Sequence, residues 1–121
     1  ENPKETLTML GRAATRYVLV AVPNLQKIPN LRKPHAVPPE INEGHLQSWD
    51  HAHFRNLAET HCGLELIAWV NDATIVPVAS ELVRRLFGIR AVVSLETGLF
   101  RRMFPYWGIS IIALLKPSLE R

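Results

Sequence analysis

The apolar positions at the start of the chain recur with the spacing of a helix. Asn2 is suited to cap this helix and Pro3 to occupy its first position. The apolar stripe has spacings of three and four and consists of Leu7, Leu10, Ala14, Tyr17 and Ala21. This pattern predicts a helix over residues 3–21 that ends before Pro23. The competing interpretation is a strand over residues 17–22, which is favoured by the β-branched Val18, Val20 and Val22.

Two further helices are predicted in the middle of the chain. Ser48 is a candidate N-cap for a helix over residues 49–61, and Gly63 ends it. Helical spacing returns after Pro77 and stops at Gly88. The apolar stripe of this later helix consists of Val78, Leu82, Val83, Leu86 and Phe87.

The remaining apolar segments are less specific. Residues 64–70 fit a strand or a helix, because a short apolar run carries little periodicity. Helical spacing continues over residues 92–103, is weakened at Gly98 and is broken at Pro105. A last apolar segment covers residues 109–115.

These patterns predict a mainly α fold, a small helical unit with a long extended arm. Residues 1–22 form an N-terminal amphipathic helix, residues 23–47 a basic, Pro-rich arm, and residues 48–121 a compact helical and apolar region. The alternative is an α+β fold with short strands near residues 17–22, 64–70, 91–95 and 109–115.

The arm is distinguished by its charge and its prolines. No Asp or Glu occurs from Thr6 to Pro39, whereas five Lys and Arg residues do. The prolines are Pro23, Pro29, Pro34, Pro38 and Pro39. Because proline removes a backbone donor and favours extended chain, we expect the arm to lie on a partner. A five-residue motif occurs twice in it, and the candidate partner-binding residues are Leu25, Lys27, Leu31, Arg32 and Lys33.

Composition adds one point to this picture. The chain has 121 residues, which is one small domain, yet 47% of them are hydrophobic. We therefore expect a protein partner or a lipid to cover part of the apolar surface. The longest uncharged run, residues 103–115, has 13 residues and is too short for a membrane span. The net charge of +3 permits contact with phosphates or anionic headgroups without requiring it.

The histidines are the candidate metal ligands. Four of the five lie within residues 45–61, beside the single cysteine, and imidazole and thiolate are ordinary zinc ligands. On a helix, however, His51 and His53 would point about 200° apart, and His53 and His61 would lie about 12 Å apart. The spacing matches no standard zinc signature. We therefore predict no metal site and no cofactor, and the residues to be tested are His51, His53, His61 and Cys62.

A second candidate contact combines arginines with aromatic residues. It consists of Arg101, Arg102, Phe104, Tyr106 and Trp107. Together with the apolar residues 109–115, this order suits the headgroup level of a membrane or a partner subunit. The same composition suits single-stranded nucleic acid. The structural alternative is a helix end whose aromatic side chains pack on the core.

The sequence predicts a protein that is not an enzyme. It has no Gly-rich phosphate loop, and nothing around Cys62 matches a nucleophile motif. We expect an accessory, structural subunit of a larger membrane-associated assembly, such as a respiratory-chain or ATP-synthase complex. The acid-free, Arg-bearing residues 9–16 have the composition of a mitochondrial import sequence and favour an inner-membrane location. The alternatives are a small basic ribonucleoprotein or ribosomal subunit and a small His-dependent metalloenzyme.

Overall fold

The fold is α+β, and the predicted mainly α fold is wrong. A computed structural model describes residues 2–28 and 47–118. In chain order the elements are α1 (Pro3–Ala13), β1 (Val18–Pro23), α2 (His51–Asn56), a π-helical turn (Leu57–His61), β2 (Leu64–Asn71), α3 (Pro77–Phe87), α4 (Ile89–Thr97), α5 (Leu99–Met103) and β3 (Ser110–Pro117). The three strands form one antiparallel sheet in the order β1-β3-β2.

The N-terminal helix is shorter than predicted. Asn2 caps α1 as expected, since its Oδ1 accepts from the Lys4 backbone N–H at 3.1 Å. The helix stops at Ala13, and β1 follows where residues 3–21 were expected to continue as a helix. The β-branched valines of this segment fit a pleated surface, and pairing with β3 gives their backbone groups ladder partners. Tertiary pairing has therefore overridden a helical pattern that was apolar but short of strong helix formers.

Three of the four strands in the α+β alternative are confirmed. Residues 17–22, 64–70 and 109–115 correspond to β1, β2 and β3 with bounds shifted by one or two residues. The fourth, residues 91–95, lies within α4. The helix predicted over residues 49–61 is present as α2 and the π-helical turn, but its N-cap is Asp50, whose Oδ1 accepts from the His53 backbone N–H at 2.8 Å.

The core lies between one face of the sheet and the first two helices. It consists of Leu7, Val18, Phe54, Ala58, Leu64, Ala113 and Leu115. The strand members of this set share one face, because Val18 and Leu66 both stand opposite Leu115 in the register. A bulge at Ile67 changes the alternation in β2, so that Trp69 and Asn71 face the packed side after it.

The segment from α3 to α5 forms the connection between β2 and β3. Its attachment to the sheet includes a bond from the Thr74 backbone N–H to the Glu96 carbonyl at 3.0 Å. Gly88 joins α3 to α4 with φ of 84°, in the left-handed region that favours glycine, and so permits a hairpin of two helices. Among the described residues, no helix has the length and apolar character needed to cross a membrane.

Candidate functional site

The face of the sheet opposite the core is apolar and is left open by the part of the chain that the structure describes. We call it the open sheet face, and it consists of Leu19, Ala21, Ala68, Val70, Ile112 and Leu114. The register places them together: Leu19 stands opposite Leu114, which stands opposite Ala68 in β2. In the next row, Ile112 lies between Ala21 and Val70. The Leu19 side chain is 71% exposed and Val70 58% exposed, so residues 2–28 and 47–118 leave this face open at both edge strands.

Charge is nearly absent from the open sheet face. The one charged pair in these rows is Glu65 opposite Lys116, at the end of the sheet where β3 finishes. The two charges are of opposite sign, so the face has no net electrostatic preference. Any ligand of this face would be recognised by apolar contact and shape.

The helical hairpin of α3 and α4 exposes a second apolar surface. Ser80, Glu81 and Arg84 of α3 line a groove against α4, where Val92 is buried. The apolar stripe of α3 therefore points away from α4, and Leu82 and Leu86 are exposed. The one fully buried residue of α3 is the polar Ser80, whose hydroxyl accepts from the Val76 backbone N–H at 3.1 Å.

His51 is buried within an aromatic cluster. Its side chain is 5% exposed, and its ring packs edge-on against Trp69 at 4.6 Å and Tyr106 at 5.2 Å between centroids. The Nδ1 atom has no hydrogen-bond partner among the residues the structure describes. Burial lowers the pKa of His51, and the nearby Asp50 charge opposes this only in part. The lowered pKa favours the neutral ring, and its contacts with Trp69 and Tyr106 support the fold.

The other metal candidates lie apart from His51. The His53 ring contacts the Asp50 carboxylate at 2.6 Å and is mostly exposed, so His51 and His53 point apart as the helical spacing predicted. His61 is exposed, and the Cys62 Sγ lies 3.7 Å from the Lys4 carbonyl oxygen. Within residues 2–28 and 47–118, no three His, Cys, Asp or Glu side chains converge as a metal site would require.

The aromatic residues predicted to meet a membrane or partner lie in a loop that is fixed to the sheet. Two buried asparagines hold this loop, residues 104–109. Asn24 donates through Nδ2 to the carbonyls of Tyr106 at 3.0 Å and Gly108 at 2.8 Å. Asn71 donates to Phe104 at 3.3 Å and Pro105 at 3.2 Å.

Both the arginines and the aromatic residues of that candidate contact keep some exposure. Arg102 is exposed and Arg101 half-buried at the end of α5, while Tyr106 is 48% exposed and Trp107 36%. Phe104 packs edge-on against Trp107 at 6.3 Å. The structure thus shows a packing role for the aromatic rings, and their contact with a partner or a membrane stays a prediction.

The start of the arm is attached to the body. Backbone bonds join Leu25 N–H to the Trp49 carbonyl at 2.8 Å and Trp49 N–H to the Pro23 carbonyl at 2.9 Å. Leu25 is exposed, whereas the Lys27 ammonium donates to the Ile109 carbonyl at 3.2 Å, and burial lowers its pKa. The other predicted binding residues lie outside the described part of the chain and are Leu31, Arg32 and Lys33.

An apolar pocket of about 280 Å³ opens where the arm leaves the body. Its lining consists of Lys27, Ile28, Ile75, Pro77, Trp107 and Ile109. Only Lys27 carries charge, and its ammonium group is already bonded to the Ile109 carbonyl. The other lining residues are apolar, so the pocket is complementary to an apolar group.

Comparisons with protein-family models, with curated proteins and with solved structures find no match.

Sequence reasoning did not identify the open sheet face. One signal was available, because residues 111–115 of β3 are apolar without alternation. A continuous apolar strand is typical of a sheet that is buried on both faces. The β2 residues on this face depend on the bulge at Ile67, for which the sequence gives no sign.

Proposed function

We propose that this protein is a non-catalytic subunit of a larger assembly, in which another protein subunit covers the open sheet face. The observation that carries the proposal is that, among the residues the structure describes, helices pack on one face of the sheet, while the other face is apolar from one edge to the other. Antiparallel sheets with one solvated face normally alternate apolar and polar residues. This sheet departs from that pattern in its central strand, at Ile112 and Leu114.

The exposed apolar area of the open sheet face favours a covering layer. Burying apolar surface contributes about 25 cal/mol per Å², so a covering layer would be stabilised by the side chains that are now open. Contiguous apolar patches of this kind are uncommon on proteins that act alone. Interfaces between permanent subunits are more apolar than transient ones, and the near absence of charge on this face fits a permanent contact.

The partner is proposed to be a protein because of this neutrality. A lipid headgroup or a nucleic acid would be recognised by a surplus of cations, and the open sheet face has none. A second apolar sheet or an amphipathic helix would supply the complementary surface. The arm adds a further contact in this proposal, and its role and the mitochondrial inner-membrane location stay predictions.

Substitution of the open sheet face tests the proposal. The double variant Leu19→Lys and Val70→Lys places a charge on each edge strand, where lysine is tolerated by a lone sheet and opposes burial by a partner. We expect the tagged wild-type chain to sediment with a larger particle in extracts of its native cells, and the double variant to sediment alone. Met9→Lys is the matched control, because Met9 is 62% exposed on α1, away from this face.

Two outcomes would contradict the proposal. If the double variant sediments with the particle as the wild type does, the open sheet face is not the contact. If the purified wild-type chain forms a stable homodimer by light scattering and the double variant is a monomer, the covering layer is a second copy and not another subunit. Circular dichroism of each variant confirms that the fold is retained.

A further inference from the structure

We infer that the tip of the α3–α4 hairpin, residues 84–90, is a site for the surface of an anionic lipid bilayer. This goes beyond the proposed contact with a protein subunit, because it concerns a different surface with different chemistry. The tip consists of Arg84, Arg85, Leu86, Phe87, Gly88, Ile89 and Arg90.

The turn between α3 and α4 leaves the apolar residues of the tip exposed to solvent. Phe87 is 73% exposed, Leu86 65% and Ile89 64%. Gly88, with its positive φ, brings the end of α3 and the start of α4 together at this point. Large apolar side chains at the end of a projecting turn can enter the boundary between headgroups and acyl chains without any change in the fold.

The apolar tip has a cationic rim. Residues 82–95 contain no Asp or Glu, and the arginines of the tip flank its apolar residues on both sides in sequence. Glu81 accepts from Arg84 and Arg85 at 2.7 Å each, which draws both guanidinium groups toward the base of the tip. Even when Glu81 is counted, the tip has a net charge of +2. Arginines can extend their charged ends to the headgroups while their stems stay apolar.

The same features argue against a protein as the occupant of the tip. A stable protein interface takes about 20–30 residues on each side, and a single turn offers only a few. Three adjacent apolar side chains with an arginine rim are sufficient for interfacial lipid binding, which grows with apolar burial and with anionic charge. Charge separates the two surfaces of this molecule: the open sheet face is neutral and the tip is basic.

Vesicle co-sedimentation tests the inference in a background that weakens the open sheet face. The full chain carries Leu19→Thr and Val70→Thr, neutral changes that suit strands and reduce any apolar binding through the two most exposed large residues of that face. We expect this background to bind vesicles that contain phosphatidylserine and to bind pure phosphatidylcholine far less. Binding to the anionic vesicles should fall as salt is raised, because the arginine contribution is screened.

Two variants in that background distinguish the contribution of charge to vesicle binding from the contribution of apolar burial. Arg85→Gln with Arg90→Gln keeps the Arg84–Glu81 ion pair and should weaken binding about fivefold for each arginine removed. Phe87→Ser should weaken it by about tenfold through loss of apolar burial. Met9→Ser removes an equally exposed apolar residue elsewhere and should leave binding unchanged. All four residues are exposed, so circular dichroism should show an intact fold.

The depth of the tip can be measured directly. A tryptophan at the tip, Phe87→Trp, should be quenched by brominated phosphatidylserine vesicles, after subtraction of the signal of the same background without it. The inference is overturned if anionic vesicles bind no better than neutral ones, if Phe87→Ser binds as the background does, or if the tryptophan is not quenched. It is also overturned if Phe87→Ser with Arg90→Gln instead releases the chain from its protein assembly. Made in the wild-type chain, Phe87→Ser and Arg90→Gln do not alter the open sheet face. A failure of the lipid inference would therefore leave the proposed subunit function unaffected.

Discussion

Two regions of this molecule use the same kind of amphipathic helix with opposite results. In the sheet region, α1 and α2 bury Leu7 and Phe54 against the strands. In the hairpin region, α3 buries Ser80 and exposes Leu82 and Leu86. Periodicity therefore predicts that a helix forms, but it does not predict whether the apolar stripe meets the protein's own core or something outside it. The sheet region is closed on one side by its own helices, whereas the described part of the chain leaves Leu82 and Leu86 of the hairpin stripe exposed.

The largest expected difference between the regions comes from removing a phenyl ring in each. Phe54 is fully buried, so Phe54→Ala should lower the free energy of unfolding by about 3–5 kcal/mol. Phe87 is exposed, so Phe87→Ala should change it by no more than about 0.5 kcal/mol. Urea denaturation followed by circular dichroism measures both. A Phe87→Ala loss as large as that of Phe54→Ala would mean that the hairpin is covered in solution and that the comparison fails.

A smaller effect is expected where the two regions join. Asn71 donates to the Thr74 hydroxyl at 3.0 Å and to the carbonyls of residues 104 and 105, so it links β2 to the loop that follows the hairpin. Asn71→Ala should remove the donor to the Pro105 carbonyl and one bond each from the Thr74 hydroxyl and the Phe104 carbonyl, and so lower the free energy of unfolding by about 1–3 kcal/mol. Asn56→Ala, an exposed position at the end of α2, is the control and should be close to neutral. Hydrogen exchange should show the added opening in residues 104–109; an unchanged exchange pattern there would refute the linking role.

The mildest test uses pH and concerns the sheet region alone. The folded-state pKa of His51 is lowered from its ordinary 6.5, so the unfolded chain binds a proton at this residue more readily than the folded chain. The stability contributed by neutral His51 is therefore complete above about pH 6.5 and is lost as pH falls through that value toward the folded pKa.

We expect His51→Gln to show a smaller loss of stability between neutral and mildly acidic pH than the wild type, in urea titrations at each pH. Equal pH slopes for the two proteins would mean that His51 is not buried in its neutral form.

How much of the structure the sequence predicts depends on how local each signal is. Asn2, Gly88 and Pro105 act within a few residues of their own positions. They correctly predicted the start of α1, the end of α3 and the end of α5. The end of α1 was misplaced, because Val18 and its neighbours form a strand only when β3 is present to pair with them, and that partner lies about 90 residues further along the chain.

The candidate surfaces show the same difference between local signals and signals that depend on distant parts of the chain. That His51 and His53 point apart followed from helix geometry alone, and it is confirmed. The open sheet face was not predictable, because the bulge at Ile67 reverses which β2 side chains lie on it. Without that bulge, Ala68 would face the core with Leu66, and Trp69 would lie on the open sheet face.

The position of β3 in the sheet also sets the order in which the protein is able to fold. β3 lies between β1 and β2, yet it is synthesised after both of them. Neither earlier strand pairs with the other, so every ladder of the sheet waits until residues 110–117 have left the ribosome. Until that moment the nascent chain presents two unpaired strands, and its need for a chaperone or for an early-binding partner is greatest during synthesis.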